Sequence, residues 1–118
     1  MAIIIYHNPR CSKSRIAVNY LQENDYEFSI IEYLNNPPSA EELTNILAKL
    51  KISARQLLRT GEAEYKENNL KDLNLPETEI INFMSQYPKL IERPIIIKDQ
   101  QACIARPLDN LINMLENQ

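Results

Sequence analysis

The sequence predicts an α/β domain whose four-stranded mixed sheet is flanked by helices. Two observations lead to this prediction. At the amino-terminal end, an apolar run, a helical pattern and a second apolar run follow one another, which indicates a β-α-β unit with parallel strands. At the carboxyl-terminal end, two short apolar runs indicate a β-hairpin. The predicted element order is β-α-β-α, several helices, then β-β-α.

The first strand is predicted over the β-branched run that begins at Ile3, and Asn8-Pro9 ends it. A helix is expected to begin directly afterwards. Its predicted apolar face comprises Ile16, Ala17, Tyr20 and Leu21. Cys11 therefore lies where a strand turns into a helix.

The second strand is predicted from Tyr26 to Tyr33, where apolar and polar residues alternate. Pro37-Pro38 then breaks the chain, and Ser39 and Glu42 have the spacing of a capping box, which predicts the start of a helix. From about residue 53 to 87 the chain has helical patterns and no good strand signal. We therefore expect a helical insertion between the two halves of the sheet.

The hairpin near the end of the chain is predicted over Ile95–Ile97 and Ala102–Ala105. Pro107 is expected at the first position of the last helix, where its missing N–H costs nothing. Cys103 falls in the second strand of this hairpin, in the sheet interior or on its back face. A buried thiol without nearby cations stays protonated, so we expect Cys103 to be inert.

Length and composition favour a single domain, residues 1–118. The proportions of hydrophobic (44%) and charged (25%) residues are ordinary for a soluble globular protein. A net charge of −3 argues against a broadly basic face for nucleic acid or an anionic membrane, so any anion site must be a local cluster of cations. With no secretory signature, no membrane span and only two cysteines, the chain is expected to be cytoplasmic, with reduced thiols.

Cys11 is the strongest candidate for a reactive group. At the start of a helix its sulfur faces unpaired N–H groups and the positive end of the helix dipole, and Arg10, Lys13 and Arg15 are close in sequence. These surroundings favour the thiolate. Lowering a cysteine pKa by about two units changes the balance of thiol and thiolate by roughly 2.7 kcal/mol. The alternative is that Cys11 is a small buried hydrophobic residue.

Several kinds of site are disfavoured. With Gly61 as its single glycine, the chain has neither a dinucleotide-binding fingerprint nor a P-loop. A cysteine-phosphatase loop would need arginine at the position of Ala17. We expect no metal site, because His7 is the only histidine and the two cysteines lie far apart in sequence.

The stretch HNPRCSKSR, from His7 to Arg15, resembles the active-site loop of the glutaredoxin-linked arsenate reductases, the ArsC family. Further matches follow in the expected order: NPPSAEEL at 36–43, LLRTGE around Arg59, ERPIII around Arg93 and ARP around Arg106. The resemblance covers nearly the whole chain. The basic loop is similar to that of a chromosomal arsenate-reductase-related subgroup.

The resemblance implies a thioredoxin-like fold with a helical insertion between its two halves. It also implies that Cys11 is the nucleophile and that Arg59, Arg93 and Arg106 hold the oxyanion. Guanidinium groups suit this task, because they donate paired, charge-assisted hydrogen bonds and keep their charge near neutral pH. A cis peptide bond before Pro94, beside the catalytic cysteine, is a further implication.

Other residues are candidates for supporting roles. His7 would aid thiolate formation through hydrogen bonds in the loop, or have a plain structural role. Asn8 and Ser14 can hydrogen-bond the loop backbone or the sulfur. Arg15 either joins the site or extends along the first helix. Arg55 is expected to be a solvated surface charge.

The resemblance also implies a reaction. The Cys11 thiolate attacks arsenate or a similar oxyanion, water leaves, and a cysteine–arsenate adduct forms. Glutathione, as co-substrate, then reduces the arsenic to the +3 state, and glutaredoxin, as partner, removes glutathione from Cys11. No bound cofactor is expected.

Two other functions stay open at this point. Spx-type regulators share the fold, bind RNA polymerase and sense oxidation with a Cys-x-x-Cys switch, whose second position here is Ser14. A monothiol glutaredoxin-like oxidoreductase is compatible with Cys-x-x-Ser. The three arginines discriminate among these functions, because only an oxyanion enzyme needs them.

Overall fold

The computed structural model describes residues 2–116. The chain divides into two units, and a mixed sheet lies in the first of them. The first unit consists of the chain up to Asn36 together with the chain from Arg93 onward, and the second unit is Pro37–Glu92. The expectation that residues 1–118 form a single domain stays a prediction.

The sheet has four strands: β1 (Ile3–Tyr6), β2 (Ser29–Ile31), β3 (Ile95–Lys98) and β4 (Gln101–Ile104). Their order across the sheet is β2-β1-β3-β4. β1 is parallel to β2 and antiparallel to β3, and β3 and β4 form an antiparallel hairpin. The predicted four-stranded mixed sheet is thus confirmed, including its parallel pair and its hairpin.

The helices, in chain order, are α1 (Ser12–Glu23), α2 (Ala40–Leu50), α3 (Ala54–Leu57), α4 (Ala63–Glu67), α5 (Glu77–Gln86) and α6 (Asp109–Glu116). In the first unit, α1 and α6 share an apolar cluster with the sheet. Its buried members are Ile3, Ile5, Ala17, Leu21, Ile96, Ala105, Leu111 and Leu115. Burial of a large apolar side chain typically stabilises a fold by about 1.5–3 kcal/mol, so this cluster holds α1 against β1.

α1 buries most of the predicted face, with Ser14 in addition and without Ile16. Ser14, Ala17 and Leu21 are buried, whereas Ile16 is 43% exposed. The hydrophobic pattern could not predict this difference, because it gives no reason to bury a serine. The Ser14 hydroxyl is buried because it accepts a hydrogen bond from the Asn8 backbone N–H, at 3.4 Å.

Two element boundaries differ from the prediction by more than one residue. β2 covers three residues rather than the stretch from Tyr26 to Tyr33, because it is an edge strand that pairs only with the short β1. Ile30 in this strand is 46% exposed. The last helix begins at Asp109 rather than Pro107, since a separate turn, in which the Asn110 N–H donates to the Pro107 carbonyl, comes first.

Two helices of the second unit, α2 and α3, begin at capping boxes. The Ser39 side chain and Glu42 form the predicted capping box of α2, and Ser53 and Gln56 form another at α3. In α5, the buried residues are Ile80, Ile81 and Met84. A 3-10 turn at Pro88–Leu90 follows. Reciprocal caps of this kind satisfy N–H groups that a helix start otherwise leaves without partners.

Arg55 is not the solvated surface charge that we expect from the sequence. Its guanidinium donates to the backbone carbonyls of Leu70, at 2.8 Å, and Asp72, at 2.9 Å. These carbonyls lie in an irregular segment after α4, where the backbone lacks helical partners. The Arg55 side chain is therefore a structural group that holds this segment.

Candidate active site

The loop between β1 and α1 is fixed by its own hydrogen bonds. The Cys11 N–H donates to the Asn8 carbonyl at 3.0 Å, and the Arg15 N–H donates to the Cys11 carbonyl at 3.1 Å. The Asn8 side-chain oxygen accepts from the Arg10 N–H at 3.0 Å. Cys11 is thereby held in an extended conformation as the N-cap residue of α1, as the sequence predicts.

The Cys11 thiol is strongly perturbed by this position. Burial raises its pKa, but the Ser14 N–H, the Arg93 guanidinium, the Lys13 N–H and the Ser14 hydroxyl together lower the pKa to about 7. The thiol makes no capping hydrogen bond of regular geometry. The helical N–H groups therefore act as nearby dipoles that stabilise negative charge on the sulfur. A large share of Cys11 is thiolate at neutral pH.

Ser14 connects the loop to the sulfur. Its side chain is fully buried, accepts from the Asn8 N–H, and contributes to the low pKa of Cys11. Because a hydroxyl both accepts and donates, Ser14 can bind the Asn8 backbone and the sulfur at the same time. Asn8 and Ser14 thus hydrogen-bond within the loop, and their supporting roles in a reaction stay a prediction.

Two of the three arginines lie at Cys11. Arg106 Nη1 is 3.9 Å from Cys11 Sγ and also donates to the Arg93 carbonyl at 3.3 Å. The Arg93 guanidinium lowers the pKa of the thiol. Arg93 directly precedes β3 and Arg106 follows β4, so the hairpin brings both residues to the same end of the sheet. The peptide bond between Arg93 and Pro94 is cis, as the resemblance implies.

A second cis peptide bond, which the sequence does not predict, joins Arg106 to Pro107. The Ala105 N–H donates to the Pro94 carbonyl at 3.0 Å. This bond connects the segments that carry the two arginines.

The third arginine, Arg59, belongs to the second unit, where carboxylates surround its guanidinium. Nη1 is 2.6 Å from a Glu92 oxygen, and Nε is 3.3 Å from a Glu62 oxygen. The assignment of Arg59 to the oxyanion therefore rests on the resemblance alone. Sequence reasoning missed both carboxylates, and the signal that could have pointed to one of them was the i,i+3 spacing of Arg59 and Glu62.

Arg15 has different surroundings from those expected, whereas the role of His7 stays a prediction. Burial and the nearby Arg15 charge lower the pKa of His7, and the Glu32 carboxylate opposes them only in part. The imidazole is therefore mostly neutral at neutral pH, and its Nδ1 has no hydrogen-bond partner within the described part of the chain. Arg15 folds back and donates to the Pro9 carbonyl at 3.0 Å, so it supports the loop.

Cys103 pairs with Ile96 in the β3–β4 hairpin and packs against the apolar cluster of the first unit. Burial raises the pKa of its thiol to about 12. At neutral pH this thiol is protonated and is a poor nucleophile. The two cysteines therefore differ widely in reactivity, in the direction that the sequence predicts.

Residues 2–116 contain no group of three or more histidine, cysteine, aspartate or glutamate side chains that could hold a metal ion. Within the same range, no helix has the length and apolar character needed to cross a membrane.

Comparison with known proteins places these features in context. A model of the ArsC family matches residues 6–114. An arsenate reductase of Haemophilus influenzae is 40% identical over 116 residues, 98% of this chain and 100% of that protein. YfgD of Escherichia coli K12, described as uncharacterized, is 45% identical over 112 residues, 94% of each chain. The structure of an arsenate reductase from Vibrio cholerae has a TM-score of 0.92 at 38% identity, covering 96% of this chain and 97% of that chain.

Proposed function

The chain belongs to the ArsC family, and from this premise we propose that it is an arsenate reductase in which Cys11 is the nucleophile. The observation that supports this most strongly is the Cys11 thiol, whose pKa of about 7 is set in part by Arg93, with Arg106 3.9 Å away. A thiolate beside fixed cations can approach an oxyanion without the charge repulsion that an isolated thiolate would meet. Relatives of similar length bear the name arsenate reductase.

In the first step, Cys11 Sγ attacks the arsenic atom. An S–As bond forms, an As–O bond breaks, and the departing oxygen takes up protons and leaves as water. Arg93 and Arg106 bind the remaining arsenate oxygens, and by the resemblance Arg59 does so as well. Planar guanidinium groups hold a tetrahedral oxyanion in a defined orientation, which a mobile ammonium group does less well.

The second step consumes glutathione. Its thiol and Cys11 together supply two electrons, so that As(V) becomes As(III), arsenite leaves, and a Cys11–glutathione mixed disulfide remains. Glutaredoxin then reduces this disulfide and restores the Cys11 thiol. The raised pKa of Cys103 supports reduction from outside the chain, because a protonated thiol does not attack a disulfide.

The two other functions are less well supported. Ser14 replaces the second thiol of an Spx-type switch and is fully buried. A monothiol oxidoreductase explains Cys11 and Ser14 but gives no role to Arg93 and Arg106 at the sulfur.

An arsenate-reduction assay with glutathione and glutaredoxin tests the proposal. We expect arsenite to form with the wild-type protein and with Cys103→Ser, and no arsenite above a protein-free control with Cys11→Ser. The Cys103→Ser variant is the matched control, because it makes the same replacement of sulfur by oxygen at a cysteine that takes no part in the proposed reaction. Failure of the correctly folded wild-type protein to produce arsenite would contradict the proposed function.

A further inference from the structure

The surroundings of Arg59 differ from those of an arginine that is open to an incoming anion. Its Nη1 lies 2.6 Å from Glu92 and its Nε 3.3 Å from Glu62. The side chains are only partly accessible, with exposed fractions of 20% for Arg59, 29% for Glu92 and 26% for Glu62. These ion pairs are therefore less screened by water than pairs on an open surface.

The backbone of the second unit holds these three residues together. Leu58 and Ile91 form an isolated β-bridge, in which the Arg59 N–H donates to the Leu90 carbonyl at 2.7 Å and the Glu92 N–H donates to the Leu57 carbonyl at 3.0 Å. Arg59 directly follows Leu58 and Glu92 directly follows Ile91, so both residues lie next to the bridged pair. Glu62 lies at the N-cap of α4, three residues after Arg59. The backbone thus places the three residues near one another, and the ion pairs hold both carboxylates at the guanidinium.

Carboxylate and arsenate oxygens use the same donors of a guanidinium. A paired hydrogen bond to an oxyanion takes two neighbouring N–H groups, either Nε with Nη2 or Nη1 with Nη2. One donor of each pair is already occupied here, Nε by Glu62 and Nη1 by Glu92. An anion at Arg59 must therefore replace at least one carboxylate or accept hydrogen bonds from the remaining N–H groups only. In either case the two negative charges weaken its binding.

We propose that Glu62 and Glu92 compete with the substrate oxyanion for Arg59 and thereby set the affinity of the enzyme for arsenate. This inference rests on the proposed function and on the assignment of Arg59 to the oxyanion. Glu92 is the stronger competitor, because its contact with the guanidinium is shorter. Both are affinity-determining residues, and neither takes part in the chemical step.

A specific kinetic pattern follows. Removing a competitor strengthens the contact of Arg59 with arsenate in the ground state and the transition state alike. Such uniform binding lowers KM and leaves kcat unchanged. A structural role for Glu92 would instead change the stability of the protein or kcat.

The test measures direct arsenate binding in a Cys11→Ser background, where no adduct can form, and KM and kcat in the wild-type background. We expect Glu92→Gln to tighten arsenate binding and lower KM by about three- to tenfold, and Glu62→Gln by a smaller factor. Glu67→Gln is the matched control, because it removes the same charge from an exposed position of α4. Its effect on binding should be less than about twofold.

A double-mutant cycle with Arg59→Ala shows whether the carboxylates act through Arg59. We expect Arg59→Ala alone to weaken arsenate binding and Glu92→Gln to have a much smaller effect in that background, where only the direct charge repulsion is left to remove. If Arg59→Ala weakens binding but neither glutamine variant tightens it, the competition does not exist. Equal tightening of arsenate binding by Glu92→Gln in the wild-type and Arg59→Ala backgrounds would also rule out the competition.

One outcome separates this inference from the proposed function. If Arg59→Ala leaves arsenate binding unchanged while Cys11-dependent arsenite production persists, then Arg59 is outside the site and the competition proposal is wrong, although the enzyme is still an arsenate reductase. Glu62→Gln keeps the proposal testable if Glu92→Gln does not fold, since circular dichroism and thermal unfolding identify that case.

Discussion

Cys11 combines two opposing influences in one side chain. Burial alone would raise its pKa, yet the N–H donors of α1, the Ser14 hydroxyl and Arg93 reverse that effect. Cys103 shows the outcome without such donors, since burial alone raises the pKa of that thiol to about 12. The difference in reactivity therefore comes from the placement of donors and not from the residue type.

The first prediction concerns the rate of alkylation of Cys11 as a function of pH. We expect a midpoint near pH 7, because the folded protein stabilises the thiolate. A depressed pKa in the folded state also links to stability: this contribution is present at pH values above the unfolded pKa and is lost as the pH falls through about 7. Wild type should thus gain stability over Cys11→Ser between pH 6 and pH 9. A midpoint at or above the ordinary value of a free cysteine would contradict the account.

Arg93 and Arg106 carry the second prediction. Replacing either with alanine should raise the alkylation midpoint of Cys11 and weaken arsenate binding by about tenfold or more, since a charge-assisted hydrogen bond contributes about 1.5–3 kcal/mol. Lysine should rescue only in part, because a point charge lacks the planar fork. Arg10→Ala is the control, as it removes a charge one residue from Cys11 in an exposed position. Equal effects at all three positions would mean that only net charge matters.

The residues of the site differ in how far the sequence could predict them. The position of Cys11 follows from local signals, a strand stop and a helix start, which neighbouring residues determine. Arg93 and Arg106 could be assigned only through the resemblance, because their approach to Cys11 depends on contacts between residues about 80 to 95 positions apart. Glu92 could not be predicted as a partner of Arg59, since the bridge that pairs their segments leaves no periodic signal in the sequence.

Among the elements, those that local capping determines were predicted best. The start of α2 agrees with its predicted capping box, whose two hydrogen bonds join residues three apart. The extent of β2 was wrong because the length of an edge strand depends on its partner, and β1 ends at Tyr6. The start of α6 was wrong because the turn at Pro107 precedes it.

The hydrogen bonds of Arg55 to the segment after α4 predict a loss of stability when this side chain is removed. Arg55→Ala should destabilise the protein by about 1–3 kcal/mol, because the Leu70 and Asp72 carbonyls lose their charged donor. Urea unfolding measures this effect, and the alkylation midpoint of Cys11 should not change. Lys71→Ala, an exposed residue of the same segment, should cost less than about 0.5 kcal/mol. If both variants are equally stable, the Arg55 hydrogen bonds contribute nothing measurable.

For the whole molecule, two patterns were sufficient to predict the sheet. A β-α-β unit requires parallel strands, and a short connection between two apolar runs requires a hairpin, so the mixed sheet follows from connectivity. The order of the strands, with β1 between β2 and β3, could not be derived from periodicity. It follows from register contacts such as Ile5 with Ile96, which connect the two ends of the chain. These same contacts bring the Cys11 loop to the arginines of the hairpin region.

The central claim is that arsenate is reduced at Cys11 with electrons from Cys11 and glutathione. Mass spectrometry of the protein after a single turnover with arsenate and glutathione, before glutaredoxin is added, tests it most directly. We predict one glutathione attached to Cys11 for each arsenite released, a free Cys103 thiol, and the same product in Cys103→Ser. A dominant disulfide between Cys11 and Cys103, with turnover lost in Cys103→Ser, would contradict the account.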